Sequence, residues 1–397
     1  SDVLAFHAES ANLPDKAQAY WCKAGDAAMA RPAYHEATGH YARAAAIAGK
    51  RSDMREAELE IRTRQGLASI AARGHSHPET RSIFETALAL TGGVNRPDLT
   101  FVTWYGLWCG HHVSGEIDRA RISSRELFAA GEVVGSSSHR MMGTRALAIT
   151  ALMSGDCNES LRHHTRALEF RNLERDRDFV RVTGQDQSVS FNSYYAINLW
   201  LTGHEASGIS HARESIALAR QVGHVNSLGY GYMHATLLLL LADDPGRQAM
   251  VADMLAFVRE HRLELWWDYA RQFDALLQLQ AGNVGALTAL QNARSSLRDR
   301  NARLFSATLA LEAARHLLAA GETDGARTMI ADASITIADS HEGISEPELC
   351  RLKARLAVAS SQPAEARDQL QAAIRLADRA GARTWKRRAA QDLEKLG

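Results

Sequence analysis

Proline is scarce in this chain, seven in 397 residues. The runs of Val, Ile and Thr that build strands are nearly absent as well. The first lack leaves long stretches free of helix breakers, and the second argues against any sheet. Four cysteines, Cys22, Cys109, Cys157 and Cys350, stand far apart with no CxxC. That spacing excludes a zinc ribbon or a dithiol redox motif, and reads as buried thiols in a reducing cytoplasm. The longest apolar stretch, Met233–Ala242, is too short to span a bilayer. There is no excess charge of either sign, with 46 Lys+Arg against 46 Asp+Glu. The basic footprint that nucleic acid requires is therefore missing. The small run Arg383, Lys386, Arg387 and Arg388 is expected to be the solvated face of a last helix.

Assembled chemistry is lacking too. No G-x-x-x-x-G-K-[ST] phosphate cradle, no H-E-x-x-H and no G-x-S-x-G occurs. Seventeen histidines invite a metal reading, but His111-His112 and His163-His164 are adjacent residues pointing to different helix faces. His75 and His77 flank a turn with no Cys or acid at ligand spacing. Glu264 and Asp268 share a helix face as a like-charge pair, which reads as solvated. No catalytic residue, metal ligand or cofactor is assigned on these grounds.

What the sequence has is Ala, Leu and Arg in abundance, all strong helix formers, and a repeat. Turn residues recur at Gly115, Gly155, Gly203, Asp243, Gly282, Gly321 and Ser361, at intervals of 40, 48, 40, 39, 39 and 40. A period near 40 accommodates two helices of about 15–18 residues with two short turns. A small residue follows most turns by five positions, as at Ala120, Ser160, Gly208 and Ala326. At the N-terminus Trp21, Gly25, Ala37, Tyr41 and Ala44 keep the tetratricopeptide order of aromatic, small, small, aromatic, small. Trp104, Leu107, Gly115 and Ala120 fit the same frame.

These observations predict an all-α chain, a right-handed superhelix of about nine tetratricopeptide-like helix hairpins forming an α-α solenoid. The pairs are placed at 14–48, 51–91, 99–131, 136–171, 187–222, 224–262, 265–300, 302–340 and 345–380. The whole of 1–397 is expected to be a single array: 1–91 the less regular part, 99–380 the regular repeats and 382–396 a capping helix. The turn Gly74-His-Ser-His-Pro78 breaks the second pair. The 48-residue interval carries about eight extra residues within Asn172–Gln187, ending in Gly184-Gln185-Asp186. An insertion in a repeat array maps to one face, which makes this loop a candidate binding element.

The stretch His7-Ala-Glu9 through Tyr20-Trp21, Ala24-Gly25-Asp26-Ala27-Ala28 and Tyr34-His-Glu-Ala37 carries a resemblance, as do Gly184-Gln185-Asp186, Tyr195–Gly203 and Ala382–Ala390. They resemble the C-terminal tetratricopeptide-like repeat region of bacterial STAND-type ATPase signalling proteins. In these a class III adenylate/guanylate cyclase domain or a winged-helix domain precedes an ATPase module. The resemblance covers essentially the whole chain and implies the sensing arm of a regulator whose chemistry lies upstream. It places no catalytic residue here. The start at Ser1 without Met agrees with a piece of a longer protein.

In such arrays the first helix of each hairpin lines the concave face. The frame turns Tyr105, His112, Arg145, Ser193, Trp200, Tyr230, Met233 and Gln272 inward. The aromatics Trp104, Trp108, Tyr194 and Trp267 cluster on the same helices, about half of them expected to fill the core, while Arg145 with Gln185 and Asp186 would set polarity. The expectation is a concave groove holding a protein or peptide. The alternative is a small-molecule effector in a closed pocket beneath the 172–187 loop.

Overall fold

A computed structural model describes residues 2–172 and 180–397, with the side chains of 181 and 182 excepted. Twenty helices of nine or more residues make up the described chain, and no strand occurs among the described residues. They are α1 (Asp2–Ser10), α2 (Pro14–Ala30), α3 (Tyr34–Ala48), α4 (Arg55–Arg73), α5 (Pro78–Thr91), α6 (Pro97–Val113), α7 (Ile117–Val134), α8 (Ser137–Met153), α9 (Cys157–Leu168) and α10 (Gln187–Leu201). The second half runs α11 (Glu205–Val222), α12 (Val225–Leu241), α13 (Arg247–Glu260), α14 (Glu264–Gln280), α15 (Ala286–Asp299), α16 (Ser306–Ala319), α17 (Thr323–Ser340), α18 (Glu346–Ala359), α19 (Pro363–Ala380) and α20 (Arg383–Leu396). A single helical turn, Val180–Thr183, precedes α10.

Each predicted pair appears as an antiparallel hairpin, and hairpins stack on their neighbours as an α-α solenoid. The seven turn residues that set the period all have left-handed backbone, including the non-glycines Asp243 (φ 51°) and Ser361 (φ 60°). That conformation reverses the chain between helices, and explains why Gly takes five of the seven places. The small residues five positions on are the crossing points. Ala120, Ser160, Ala326 and Ala366 are fully buried. A Cβ at Gly208 would stand 2.7 Å from the carbonyl oxygen of Ala196 on the partner helix.

Two features depart from the sequence reading. Helix α1 was not foreseen; Ala5 and Ala8 bury against α2 while Val3, Leu4 and Phe6 stay exposed, so its apolar periodicity is poor. The array also winds tightly enough that repeats about five hairpins apart touch. Arg303 donates its amide to the Val113 carbonyl at 2.9 Å, and Asn301 Nδ2 donates to the Ser76 carbonyl at 3.1 Å. His341 pairs with Asp118. A Cβ at Gly155 would stand 2.8 Å from the backbone of Gly343. Helix α20 folds back onto α10, where Trp385 meets Trp200 edge to face at 5.1 Å.

The basic run of α20 is therefore not simply a solvated face. Arg388 lies over both indoles, 5.3 Å from Trp200 and 5.1 Å from Trp385, and donates to the Leu241 carbonyl; Arg387 pairs with Glu205. A guanidinium against indole is a favourable packing that charge counting does not reveal. Of the cysteines, Cys109 and Cys157 are buried, but Cys22 and Cys350 are only half-buried; all four are free thiols.

Candidate functional site on the inner face

Helices α6, α8, α10, α12, α14 and α16 are the first helices of successive hairpins. In α10 every residue but Tyr195 is buried. A helix buried all round must carry its polar groups into the interior and satisfy them there. Its N-terminus is fixed by Asp186, whose Oδ1 accepts from the Val189 amide at 2.8 Å, and whose own amide donates to Ser227 Oγ at 2.8 Å.

The open groove expected from the repeat is closed in this structure. Trp200, Tyr105, Tyr194 and Arg145 are each at most 2% exposed. The cause is the tight winding: the turn between α15 and α16 drives Phe305 into the inner face. Phe305 stacks on Tyr194 at 6.0 Å and stands edge-on to His234 at 5.8 Å. It does so from a left-handed backbone (φ 56°), uncommon for a bulky side chain. Lined in part by Ile197, Trp200, Leu237, Phe305 and Trp385, a void of only about 10 Å³ remains on this face.

Eight of the predicted residues come together. Trp108 stacks on His112 at 5.5 Å, and His112 Nε2 lies 2.6 Å from the Tyr194 hydroxyl. Tyr194 continues the aromatic series to His234 at 4.7 Å and on to Tyr230. Tyr105 packs beside Trp108, whose indole donates to Thr150 Oγ1 at 3.0 Å. Arg145 donates through Nη1 to Ser190 Oγ and through Nη2 to Gln187 Oε1 at 2.6 Å, with its guanidinium 5.5 Å over the Trp108 ring. Ser190 in turn meets the Tyr230 hydroxyl at 3.0 Å. Gln187 Nε2 donates to Thr183 Oγ1 at 2.8 Å and to the Gln185 carbonyl at 3.1 Å. Gln185 and Asp186 thus form the outer wall of the cluster, together with Gly184, whose carbonyl accepts from Asn226 Nδ2 at 3.0 Å.

Four predicted residues stand outside it. Trp104 packs with Ile70, Phe84 and Leu107 toward the N-terminal hairpins. Trp200 belongs to the contact with α20. Trp267 sits half-buried under Arg259 of α13 at 5.4 Å. Gln272 is buried on α14 and makes no hydrogen bond with the cluster. Of the inserted segment, 173–179 lies outside the described residues. Glu264 and Asp268 do converge, bridged by Arg300 at 2.7 and 3.5 Å, with Ser296 donating to Asp268; Glu264 is exposed, as expected of a solvated pair, whereas Asp268 is buried.

The sequence reading missed Gln187, Ser190, His234 and Phe305 as members of the site. Three had a signal. The run Ser188-Val-Ser-Phe-Asn-Ser193 scatters small polar residues through an otherwise apolar helix, and His234 interrupts a leucine-rich one. Phe305 had none, because its place depends on how repeats five apart meet.

Polar atoms of this cluster with no protein partner are His112 Nδ1, Arg145 Nε, Gln185 Nε2 and His234 Nε2. His234 Nδ1 lies 2.9 Å from the Tyr230 carbonyl and so carries the proton, leaving Nε2 as a buried acceptor. Burial pushes His112 down to about 3 and His234 down to about 4, so both are neutral. Burial also raises the Tyr230 phenol to about 12 and Tyr105 and Tyr194 well above their ordinary range. The face is a neutral hydrogen-bonding surface around one guanidinium. Among the described residues no three His, Cys, Asp or Glu side chains gather as a metal site, and no helix is long and apolar enough to cross a membrane.

No family model matches the chain. It is 23% identical to an uncharacterised protein of Rhizobium meliloti (strain 1021) over its whole length, and spans 39% of the length of that relative. Among solved structures it is similar to aspartyl phosphate phosphatase F from Bacillus subtilis, with a TM-score of 0.54 and 10% identity over 74% of each chain. A Rap protein complexed with competence and sporulation factor gives a TM-score of 0.47 at 10% identity, covering 96% of this chain and 98% of that one. The likeness to phosphatase F concerns the fold alone, and agrees with the helices described above: the chain is an α-α solenoid of tetratricopeptide-like hairpins.

Proposed function

We propose that this chain is a non-catalytic, partner-sensing arm of a larger bacterial signalling protein, acting in the cytoplasm. One observation carries the reading: four buried polar atoms without partners, His112 Nδ1, Arg145 Nε, Gln185 Nε2 and His234 Nε2, belong to the one cluster of Trp108, Tyr194 and Arg145. Each such atom costs about 1–3 kcal/mol, so an interior selected only for stability would not concentrate them. A peptide or protein segment seated along α6, α8, α10 and α12 would satisfy them, with Phe305 holding that place until it arrives. The resemblance to STAND-type ATPase regulators, and the greater length of the Rhizobium meliloti relative, support an ATPase, cyclase or transcriptional output elsewhere in the parent protein.

The test is a fluorescence-polarisation screen of a random peptide library against the chain, followed by hydrogen exchange on the binders. Protection is expected in α6, α8, α10 and α12. Phe305→Ala should raise apparent affinity by removing part of the cost of opening, and Trp108→Ala should lower it. Footprints confined to the outer helices α7, α9, α11 and α13 would sink the reading. A second reading, a small-molecule receptor, is favoured by the position of Arg145 directly beneath the Thr183–Asp186 turn.

A further inference from the structure

Arg145 is a cation with no anion. Its side chain is buried on all sides, yet the groups it binds, Ser190, Gln187 and the Trp108 ring, are neutral. A guanidinium carries five N–H donors. Two are engaged by these partners, and Nε has none. The two other buried arginines are paired, Arg351 with Glu348 and Asp392 and Arg294 with Asp332, while the half-buried Arg388 has indole rings and a carbonyl instead. Gln185, in the wall of the same cluster, also directs an amide nitrogen inward with no acceptor. The two vacant donor sets share one deficiency, an acceptor bearing negative charge.

We propose that the Arg145 cluster is a binding site for a carboxylate. A carboxylate supplies two acceptor oxygens to the planar fork. Tyr105, Tyr230 and Ser190 supply hydroxyls that rotate to donate. A single charge is the right amount: Arg145 is the cation of the cluster among the described residues. A phosphate dianion would meet an unbalanced second charge there. Entry is beside Gly184, which is exposed and left-handed (φ 68°), and whose turn is tied down through Asn226 and Ser227. The carboxylate has two sources, a free small acid or the C-terminus of a peptide. The inference rests on the inner-face reading above.

The experiment titrates the chain with sodium acetate, N-acetyl-Ala-Ala with a free C-terminus, its C-terminal amide, sodium chloride and inorganic phosphate at matched ionic strength. It reads the melting temperature and the Arg145 Nε–H resonance. Acetate should give a saturable rise on the order of 1–2 °C at tenfold excess over its dissociation constant, and move the Nε–H signal downfield. A dipeptide response absent from its amide identifies a peptide terminus as the source; an acetate response alone identifies a small acid. Arg145→Met should fold and lose the response. Arg145→Lys keeps the charge without the fork and should weaken acetate at least tenfold. A response surviving in either variant at full strength overturns the proposal, as does phosphate matching acetate, or no carboxylate response at all. Loss of the carboxylate response with inner-face peptide footprints intact would sink this inference alone; the reverse pattern would sink only the partner reading.

Discussion

At Gly25 a single hydrogen decides how closely two helices approach. A Cβ there would stand 2.6 Å from the Tyr41 ring, whose hydroxyl donates to Asp26 at 2.6 Å. Gly25→Ala should therefore displace that ring and cost about 1–3 kcal/mol by overpacking. Because repeats are stabilised chiefly by neighbours, the loss should appear first as faster amide exchange in α1 to α3, before global urea unfolding shifts. An unchanged exchange pattern there would count against the tetratricopeptide frame. This position was legible in the sequence, as were Trp21, Ala37, Tyr41 and Ala44, all buried in one cluster. They were legible because each answers to a local rule of helix crossing. Arg145 was legible as an inward residue but not as a buried one. Nothing in its neighbourhood along the chain reports that its partners come from α10.

At the scale of elements, the helix pairs followed from turn spacing alone, since a left-handed residue every 40 or so positions leaves little choice in between. Helix α20 shows where that logic stops. The sequence marked its span, and even its amphipathic basic side, but not that it docks on α10. Thr384 donates to the Trp200 carbonyl and Trp385 fills the space beside it. Trp385→Ala should cost about 3–5 kcal/mol, the range for removing a buried aromatic. Hydrogen exchange should then rise together in α20 and in the last turn of α10, two segments about 185 residues apart in sequence. A rise limited to α20 would mean that this docking does not stabilise α10.

The whole molecule carries an acid lability set by its buried imidazoles. Burial pushes His112 and His164 down to about 3 and His234 down to about 4. Below pH 6.5 the unfolded chain binds protons at these sites that the folded chain refuses, so stability falls as pH falls. Each site contributes about 1.4 kcal/mol per pH unit. Glu342 acts the other way. Burial, partly offset by hydrogen bonds from Thr308 and Ser345, raises it to about 7. It is protonated in the folded state between its ordinary value and 7, and its contribution to stability is lost as pH rises through that window. His75 and His111 are pushed down to about 4 as well, so the histidines outweigh the one glutamate and stability should fall steadily from pH 6.5 to 5. Urea midpoints measured across that range should fall; His164→Phe should flatten the slope, and Glu342→Gln should steepen it. No periodicity in the sequence exposes this balance, because it depends on burial between elements, as where Phe305 stands against His234 and Phe191 against His164.

Those distant contacts also change how the molecule would bear a load. A plain stack of hairpins stretches like a soft spring, each unit yielding when its one neighbour lets go. Here Val113 is bonded to Arg303, Ser76 to Asn301, and Trp200 is bracketed by Trp385 and Arg388. The coils are fastened to one another, and pulling on the two ends must first undo the fastenings before any pitch can open. A force–extension trace should show a stiff, nearly inextensible rise, one abrupt release as the coils part, and only then a staircase of single hairpins.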